Sequence, residues 1–233
     1  MIRESVIPKV VAVVPAAGAG VRLGGPVPKP YREVGGRPIL ARTLEALASA
    51  PSVEGIVVAV GAGELGRARS LAPPLAAWIR VVRGGEERFD SVRLGLEAVP
   101  EETEIVVVHD GARPFVTVRE IEETVAAARE TGAALAVTAP VETVKRVDGG
   151  LVTATLDRER IRLAQTPQAF RTSLLREAYR RAMEDGVKTT DEAALVERIG
   201  APIGWIEADR WNVKITVEDD LRLAEWIAEE RKR

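Results

Sequence analysis

The sequence predicts an α/β protein built on a doubly wound, mostly parallel β-sheet of Rossmann-like form, with a protruding β-hairpin arm. Over the first 140 residues, short apolar runs alternate with amphipathic segments, which is typical of a parallel sheet covered by helices. After Pro140 the alternation stops, and two strand-like runs flank an Asp-Gly-Gly turn. Hydrophobic residues make up 46% of the chain but aromatic residues only 4%, so Val, Leu, Ile and Ala must form the core.

Five runs in the first part of the chain are apolar or β-branched and bounded by Gly, Pro or charged residues. They predict strands over 10–14, 56–60, 79–82, 105–108 and 134–138. Between them, amphipathic patterns predict helices over 39–48, 65–71, 91–99 and 118–130. Gly132 is suited to end the last of these helices. Right-handed crossovers then make the sheet doubly wound.

The hairpin is predicted from residues 141–147 and 151–156, which flank Asp148-Gly149-Gly150. Two strands alone are marginally stable in water, so such an arm needs a surface to lie on, and a second subunit is one candidate. We expect a single domain over residues 1–233, with residues 140–160 as an arm for dimerisation.

Helical patterns return in the last third of the chain. They predict helices over 173–184 and 191–199, ended by Gly186 and Gly200, and a strand over 203–206. The last helix is predicted over 217–232, with Thr216 and Asp219 placed for a capping box.

Several classes of protein are excluded by composition. The chain has no cysteine and one histidine, which removes disulfide frameworks, cysteine nucleophiles and His-rich metal centres. A net charge of −2 gives no basic field for nucleic acid. No apolar run is long enough to span a membrane. Residues 10–19 could pass for a short signal peptide, but Pro15 interrupts them and favours a buried strand. We expect a soluble, cytoplasmic protein.

A Gly-rich loop follows the first predicted strand, where α/β sheets bind ligands. Its small residues would let backbone N–H groups approach a phosphate, although an ordinary β–α turn explains it as well. Two known templates fail: Leu23 stands where a dinucleotide fingerprint needs glycine, and no Gly-Lys-Ser/Thr ends a P-loop. Arg22 and Lys29 nearby favour a polyphosphate.

Five motifs together make the sequence recognisable. They are Pro15-Ala16-Ala17-Gly18-x-Gly20-x-Arg22 with Pro28-Lys29, residues 84–92 (GGEERFDSV), residues 109–114 (HDGARP), Thr166-Pro167-Gln168, and residues 212–216 (NVKIT). In this order and spacing the chain, from about Val10 to the final helix, resembles the 2-C-methyl-D-erythritol 4-phosphate cytidylyltransferases of the non-mevalonate isoprenoid pathway. The resemblance implies a nucleotidyltransferase that transfers CMP from CTP to a small phosphorylated polyol. It departs at Pro30, where the family more often has Gln, so an N–H donor is lost.

The resemblance assigns the nucleotide-handling residues. Arg22, Lys29 and Lys214 would be catalytic, holding the triphosphate and the developing negative charge. The CTP pocket would be formed by Pro15, Ala16, Ala17, Gly18, Gly85, Ser91 and Gly111. Taken alone, Ser91 is equally a helix N-cap and Gly85 equally part of a strand exit. Lys214 alone could protect a sheet edge, but inside the motif at 212–216 the catalytic interpretation is favoured.

Asp110 follows the fourth predicted strand, and the resemblance implies that it holds Mg²⁺. Mg²⁺ takes one or two carboxylates and completes its shell with water and phosphate oxygens. A turn or N-cap aspartate is the alternative. His109 should point to the opposite face and be a packed, hydrogen-bonded residue rather than a catalyst.

For the second substrate, the resemblance implies Arg113, Thr143, Arg158, Thr166, Thr190 and Asp191. In the family the arm reaches the neighbouring subunit, so a homodimer is expected. Taken alone, Thr143 suits a strand, Arg158 a solvated surface, and Thr190-Asp191 a helix cap.

A phosphate monoester is largely a dianion at neutral pH, so in-line attack on the α-phosphorus of CTP needs no general base. Two rivals stay open: a ribitol-5-phosphate cytidylyltransferase or related phosphosugar enzyme, and a non-catalytic nucleotide-binding assembly protein.

Overall fold

The computed structural model describes residues 7–18, 23–24, 27–76 and 78–232. The strands are β1 (Val10–Pro15), β2 (Glu33–Val34), β3 (Arg37–Pro38), β4 (Gly55–Val60), β5 (Ile79–Arg83), β6 (Ile105–Val108), β7 (Ala133–Thr138), β8 (Lys145–Asp148), β9 (Leu151–Thr155), β10 (Leu163–Arg171) and β11 (Gly204–Glu207). The α-helices are α1 (Ile39–Ala48), α2 (Leu65–Arg69), α3 (Arg88–Glu97), α4 (Val118–Thr131), α5 (Thr172–Glu184), α6 (Ala193–Arg198) and α7 (Glu218–Glu230). None of these helices is long and apolar enough to cross a bilayer.

The core is a seven-stranded sheet of order β11-β7-β10-β6-β1-β4-β5. β1 pairs in parallel with β4 and β6, β4 with β5, and β11 with β7, whereas β10 is antiparallel to both of its neighbours. The predicted doubly wound, mostly parallel fold is confirmed. The chain moves outward from β1 in both directions, and ligands bind where the strand order reverses in this way.

Alternate residues of the strands point to opposite faces, and each face is covered by helices. Val10, Ala12 and Val14 of β1 pack in one cluster with α1, α2 and α4. Val11 and Val13 pack in another with α3, α5 and α6. Both faces of β1 are therefore buried, as its continuous apolar run predicts. A third cluster joins α7 to the β2–β3 hairpin.

Strand β10 was not predicted. Its sequence contains Pro167, which argues against a central strand because proline has no N–H for the ladder. The structure places Pro167 within a register shift of the pairing with β7, between Ala164 and Gln168. The irregularity accommodates the proline, and the strand continues on both sides of it.

Four helix starts differ from prediction: α5 begins one residue early, at Thr172, and the other three change the expected caps. α3 begins at Arg88, so Ser91 lies inside its first turn and is not the N-cap. α6 begins at Ala193, and the Asp191 carboxylate accepts a hydrogen bond from the Ala194 N–H at 2.9 Å, which is a capping contact. At α7 it is Asp220, not Asp219, whose carboxylate accepts from the N–H groups of Thr216 and Val217.

The predicted hairpin is confirmed as β8–β9, although its first strand begins at Lys145 and not at Val141. Gly149 and Gly150 lie in its turn at φ of 52° and 82°. A two-residue turn with positive φ at both positions favours glycine. Leu151 is 72% exposed and Val152 64% exposed, so apolar side chains of the arm face solvent in the single chain. Thr143, predicted on a strand, precedes β8.

Candidate active site

A cavity of about 300 Å³ lies at the carboxyl ends of β1 and β6. Its lining comes from five separated parts of the chain: Pro15, Ala16, Ala17, Gly18, Lys29, Pro30, Arg88, Ser91, Asp110, Gly111, Ala112, Lys214 and Thr216. Most of the residues assigned to catalysis and to the CTP pocket are thus brought together, because parallel strands deliver their following loops to one edge of the sheet. Arg22 lies outside the described residues.

The loop after β1 and the loop after β5 approach each other closely at Gly84. The Ala16 N–H donates to the Ala59 carbonyl at 2.7 Å, and the Gly84 N–H to that of Val60 at 2.7 Å. A Cβ on Gly84 would lie 2.5 Å from the Ala17 Cβ and 2.9 Å from the Ser91 Oγ, so this close approach requires glycine. The Gly85 N–H donates to the Ser91 Oγ at 3.1 Å. Ser91 therefore fastens the β5 loop to α3 in the cavity wall.

The Asp110 carboxylate is the centre of a group of cations. Its Oδ1 lies 2.8 Å from Arg88 Nε, and its Oδ2 lies 2.7 Å from Lys214 Nζ and 3.6 Å from Arg113 Nε. Burial alone would raise the pKa of Asp110, but Arg88, Lys214 and Arg113 outweigh it and hold that pKa well below its usual range. Asp110 is therefore an ionised carboxylate at neutral pH.

Lys29 begins a single 3₁₀ turn (Lys29–Tyr31), and its Nζ donates to the carbonyl of Ile215 at 3.3 Å. Because Ile215 follows Lys214, the two lysines lie on neighbouring parts of the cavity wall. Tyr31 is buried, and its ring carries the Arg67 guanidinium 4.1 Å from its centroid, which anchors the turn. Pro30 sits in the first turn, where a missing N–H breaks no bond within the helix.

His109 is fully buried, and its hydrogen bonds fix its tautomer. Its Nε2 lies 3.1 Å from the Arg113 carbonyl oxygen, which only accepts, so Nε2 carries the proton. Nδ1 then accepts from the Thr166 hydroxyl at 3.0 Å, and that hydroxyl oxygen accepts from the Asp110 N–H at 3.1 Å. Burial lowers the pKa of His109 to about 4. The prediction of a packed, hydrogen-bonded histidine is confirmed.

The residues assigned to the second substrate are not gathered into the cavity of the single chain. Arg113 is buried and donates from Nη1 to the Asn212 carbonyl at 2.7 Å. The Thr190 carbonyl accepts from Arg88 at 3.2 Å. Arg158, on the exposed arm, donates from Nη1 to the Val141 carbonyl at 2.6 Å. Thr143 also lies on the exposed arm segment, so these assignments stay predictions.

Arg88 was missed by sequence reasoning, although it lies inside the motif at 84–92. It lines the cavity and joins Asp110 to the buried Glu192, 2.9 Å from its Nη1. Spacing within the motif could not identify it, because its partners come from distant parts of the chain.

Comparison with known proteins decides the family. The sequence model for 2-C-methyl-D-erythritol 4-phosphate cytidylyltransferase matches residues 10–230. The chain belongs to this cytidylyltransferase family. A cytidylyltransferase of that name from Syntrophus aciditrophicus is 46% identical over 222 residues, covering 94% of this chain and 95% of the relative.

Solved structures agree with this membership. The 4-diphosphocytidyl-2C-methyl-D-erythritol synthase of Anaerococcus prevotii superposes with a TM-score of 0.85 at 28% identity, covering 94% of this chain and 98% of that one. The 2-C-methyl-D-erythritol 4-phosphate cytidylyltransferase of Thermus thermophilus gives a TM-score of 0.78 at 36% identity, covering 95% and 99%.

The cavity also limits how the Mg²⁺ expected in this cytidylyltransferase family could bind. Both oxygens of Asp110 already contact cations, and the described residues contain no cluster of three or more His, Asp or Glu suited to a metal ion. A bare divalent ion would be repelled by Lys29, Arg88 and Lys214. The residues fit an ion that arrives with phosphate oxygens, for which one carboxylate is enough.

Proposed function

We infer that the protein transfers CMP from CTP to 2-C-methyl-D-erythritol 4-phosphate, giving 4-diphosphocytidyl-2-C-methyl-D-erythritol and pyrophosphate. The observation that carries this conclusion is the family match over residues 10–230, which includes every segment that lines the cavity. The cationic wall of that cavity suits two substrates that are both anions.

In the reaction, a phosphate oxygen of methylerythritol phosphate forms a bond to the α-phosphorus of CTP. The bond from that phosphorus to the bridging oxygen of the β-phosphate breaks, and its electrons leave with pyrophosphate. The attacking phosphate is already largely ionised at neutral pH, so no side chain has to remove a proton. Positioning and neutralisation of charge are what the protein must supply.

We assign Lys29 and Lys214, together with Arg22, to the triphosphate and to the charge that develops on the attacked phosphoryl group. The contact between Lys214 and Asp110 supports this assignment, because a triphosphate oxygen entering the cavity offers the ammonium group an alternative anion. Pro15, Ala16, Ala17, Gly18, Gly85, Ser91 and Gly111 are assigned to the CTP pocket. Their small side chains leave backbone groups accessible to the base and phosphates.

We assign Asp110 as the protein group that would hold Mg²⁺, with the ion arriving on the triphosphate. When bound, the ion would neutralise phosphate charge. Asp110 would contribute one carboxylate oxygen, and Arg88 would keep the other oxygen occupied.

The arm is assigned to a homodimer in which Thr143 and Arg158 of one subunit contact the phosphosugar bound by the other. The exposure of Val147, Leu151 and Val152 supports this, since solvent-facing apolar side chains on an isolated hairpin favour a covering partner. Arg113, Thr166, Thr190 and Asp191 would complete that site from the cavity side. Such an enzyme of small-molecule metabolism fits a cytoplasmic location.

A pyrophosphate-release screen tests the proposal. CTP, ATP, GTP and UTP are each paired with methylerythritol phosphate and with ribitol 5-phosphate, with and without Mg²⁺. We expect release only with CTP, methylerythritol phosphate and Mg²⁺. Release with ribitol phosphate instead would establish the rival cytidylyltransferase. Nucleotide binding without release in any pair would favour a non-catalytic assembly protein.

A further inference from the structure

Arg88 is held between two carboxylates that come from different elements. Its Nε donates to Asp110 Oδ1 at 2.8 Å, and its Nη1 donates to Glu192 Oε1 at 2.9 Å. Asp110 lines the cavity, whereas Glu192 is 1% exposed and lies outside the lining. The guanidinium therefore connects the cavity wall to a carboxylate buried behind it.

Glu192 is itself fixed by Tyr179 of α5. The Tyr179 hydroxyl donates to the same oxygen, Oε1, at 3.0 Å, and the tyrosine ring packs against that of Phe89 with centroids 4.9 Å apart. Glu192 Oε2 is buried and makes no hydrogen bond with the described residues. Both side-chain hydrogen bonds to the Glu192 carboxylate, from Arg88 and from Tyr179, are therefore accepted by the same oxygen, Oε1.

Strand β10 fixes the backbone at both ends of the bridge. The Thr166 hydroxyl accepts from the Asp110 N–H at 3.1 Å, and the Gln168 side-chain oxygen accepts from the Ala193 N–H, also at 3.1 Å. Gln168 is 1% exposed and lies outside the cavity lining. The Thr-Pro-Gln motif therefore supports Asp110 directly and Glu192 through its neighbour in the chain.

We propose that Glu192 is a positioning residue for nucleotidyl transfer, because it holds the Arg88 guanidinium, with the help of Tyr179, against Asp110. The proposal rests on the proposed function. A free arginine side chain samples many rotamers, and ordering it costs entropy that the Glu192 contact offsets in advance. With Arg88 fixed on Oδ1, Asp110 does not depend on Lys214 for its charge partner, so Lys214 is available to the triphosphate. Without the Glu192 carboxylate, Arg88 keeps only the neutral Thr190 carbonyl, 3.2 Å from its Nη1, to hold it against Asp110, and Lys214 becomes the principal partner of Asp110.

Steady-state kinetics with Glu192→Gln, Tyr179→Phe and the double variant test this proposal. We expect Glu192→Gln to lower kcat by about 10²-fold, because displacing a positioned group by about 1 Å has an effect of that size. The KM for CTP should change much less. Tyr179→Phe should give a smaller loss in kcat. Because Tyr179 acts through Glu192, the double variant should be no slower than Glu192→Gln alone.

Glu177→Gln is the matched control, since Glu177 shares α5 with Tyr179 and pairs with Arg180 and Arg181 on the surface. It removes the same charge and should leave kcat unchanged. Thermal unfolding of every variant separates lost stability from lost turnover. A folded Glu192→Gln protein with wild-type kcat overturns the proposal, and so do additive effects in the double variant. If Glu192→Gln does not fold, an unchanged kcat in Tyr179→Phe overturns it.

Hydrogen exchange separates this proposal from the proposed function. Faster exchange over residues 84–92 in Tyr179→Phe, but not in Glu177→Gln, supports the positioning of Arg88 even if the wild-type protein releases no pyrophosphate from CTP. Unchanged exchange there contradicts it, whatever reaction the protein performs.

Discussion

Lys214 Nζ lies 2.7 Å from Asp110 Oδ2 in the cavity wall. Asp110 follows β6 and Lys214 precedes α7, so this contact exists only in the folded protein. Without substrate, Asp110 keeps the lysine in place inside the cavity. A triphosphate oxygen could then take the place of the Asp110 carboxylate as the partner of Lys214 without a rearrangement of the site. Such preorganisation is the condition for effective electrostatic catalysis.

Replacing Lys29 or Lys214 by alanine should lower kcat by about 10²- to 10³-fold, the usual loss for one preorganised electrostatic contact. Arg22→Ala should behave in the same way. The fold should survive, and thermal unfolding checks this. Lys9→Ala is the control and should keep full turnover, because Lys9 is an exposed lysine just before β1. Near-wild-type kcat in the cavity variants would contradict their assignment.

Stability should fall at mildly acidic pH because of His109. Burial lowers its folded-state pKa from 6.5 to about 4, so between these values the unfolded chain binds a proton that the folded protein does not. The resulting stability is fully present above pH 6.5 and is lost as the pH falls toward about 4. Urea unfolding at a series of pH values measures the slope. His109→Asn should flatten this slope, because it removes the group that takes up a proton on unfolding. An equal slope in both proteins would count against the buried neutral imidazole.

Gly84→Ala should weaken CTP binding and lower the free energy of unfolding by about 1–3 kcal/mol, the usual cost of overpacking. The added methyl group would meet the Ala17 Cβ and the Ser91 Oγ, so the β1 loop must move. Gly63→Ala is the matched control, because nothing lies within 4 Å of its added Cβ. Calorimetric titration with CTP and urea unfolding measure the two effects. Equal CTP affinities for the two variants would show that this close approach does not shape the nucleotide pocket.

Arg158→Ala should raise the KM for the phosphosugar and leave CTP affinity unchanged, since Arg158 lies on the arm, outside the cavity lining. A mixture of Arg158→Ala and Lys29→Ala proteins tests whether the arm serves a neighbouring subunit. Mixed dimers would hold one site with an intact cavity and an intact arm. At low phosphosugar concentration, the mixture should exceed the summed activities of its components. A simple sum would contradict the shared site.

The sequence predicts the sheet well where burial on both faces leaves continuous apolar runs, as in β1, β4 and β6. It fails for β10, because Pro167 is normally excluded from a central strand and only the irregular pairing around it makes the strand possible. Helix starts are also mispredicted where a polar side chain bonds to another part of the fold and does not cap the helix. α3 begins before Ser91, whose hydroxyl bonds the β5 loop instead of capping the helix.

The position of a candidate site residue is predicted where a motif lies close to the end of a strand, as Asp110 lies two residues after the last residue of β6. Arg88 and Glu192 were missed because their importance lies in contacts between α3, α6 and the β6 loop. Periodicity along the chain carries no information on such contacts. The arm shows the opposite case: Asp148, Gly149 and Gly150 predict its turn, but the sequence of one chain carries no information on what its exposed side chains contact.

We infer that fixed positive groups around Asp110 gather the triphosphate of CTP at the carboxyl edge of the sheet. The decisive measurement is a crystal structure of the protein with CTP and Mg²⁺. In it we expect the Nζ atoms of Lys29 and Lys214 to lie within hydrogen-bonding distance of phosphate oxygens, and Lys214 Nζ to have moved away from Asp110. A triphosphate bound away from both lysines would contradict this inference.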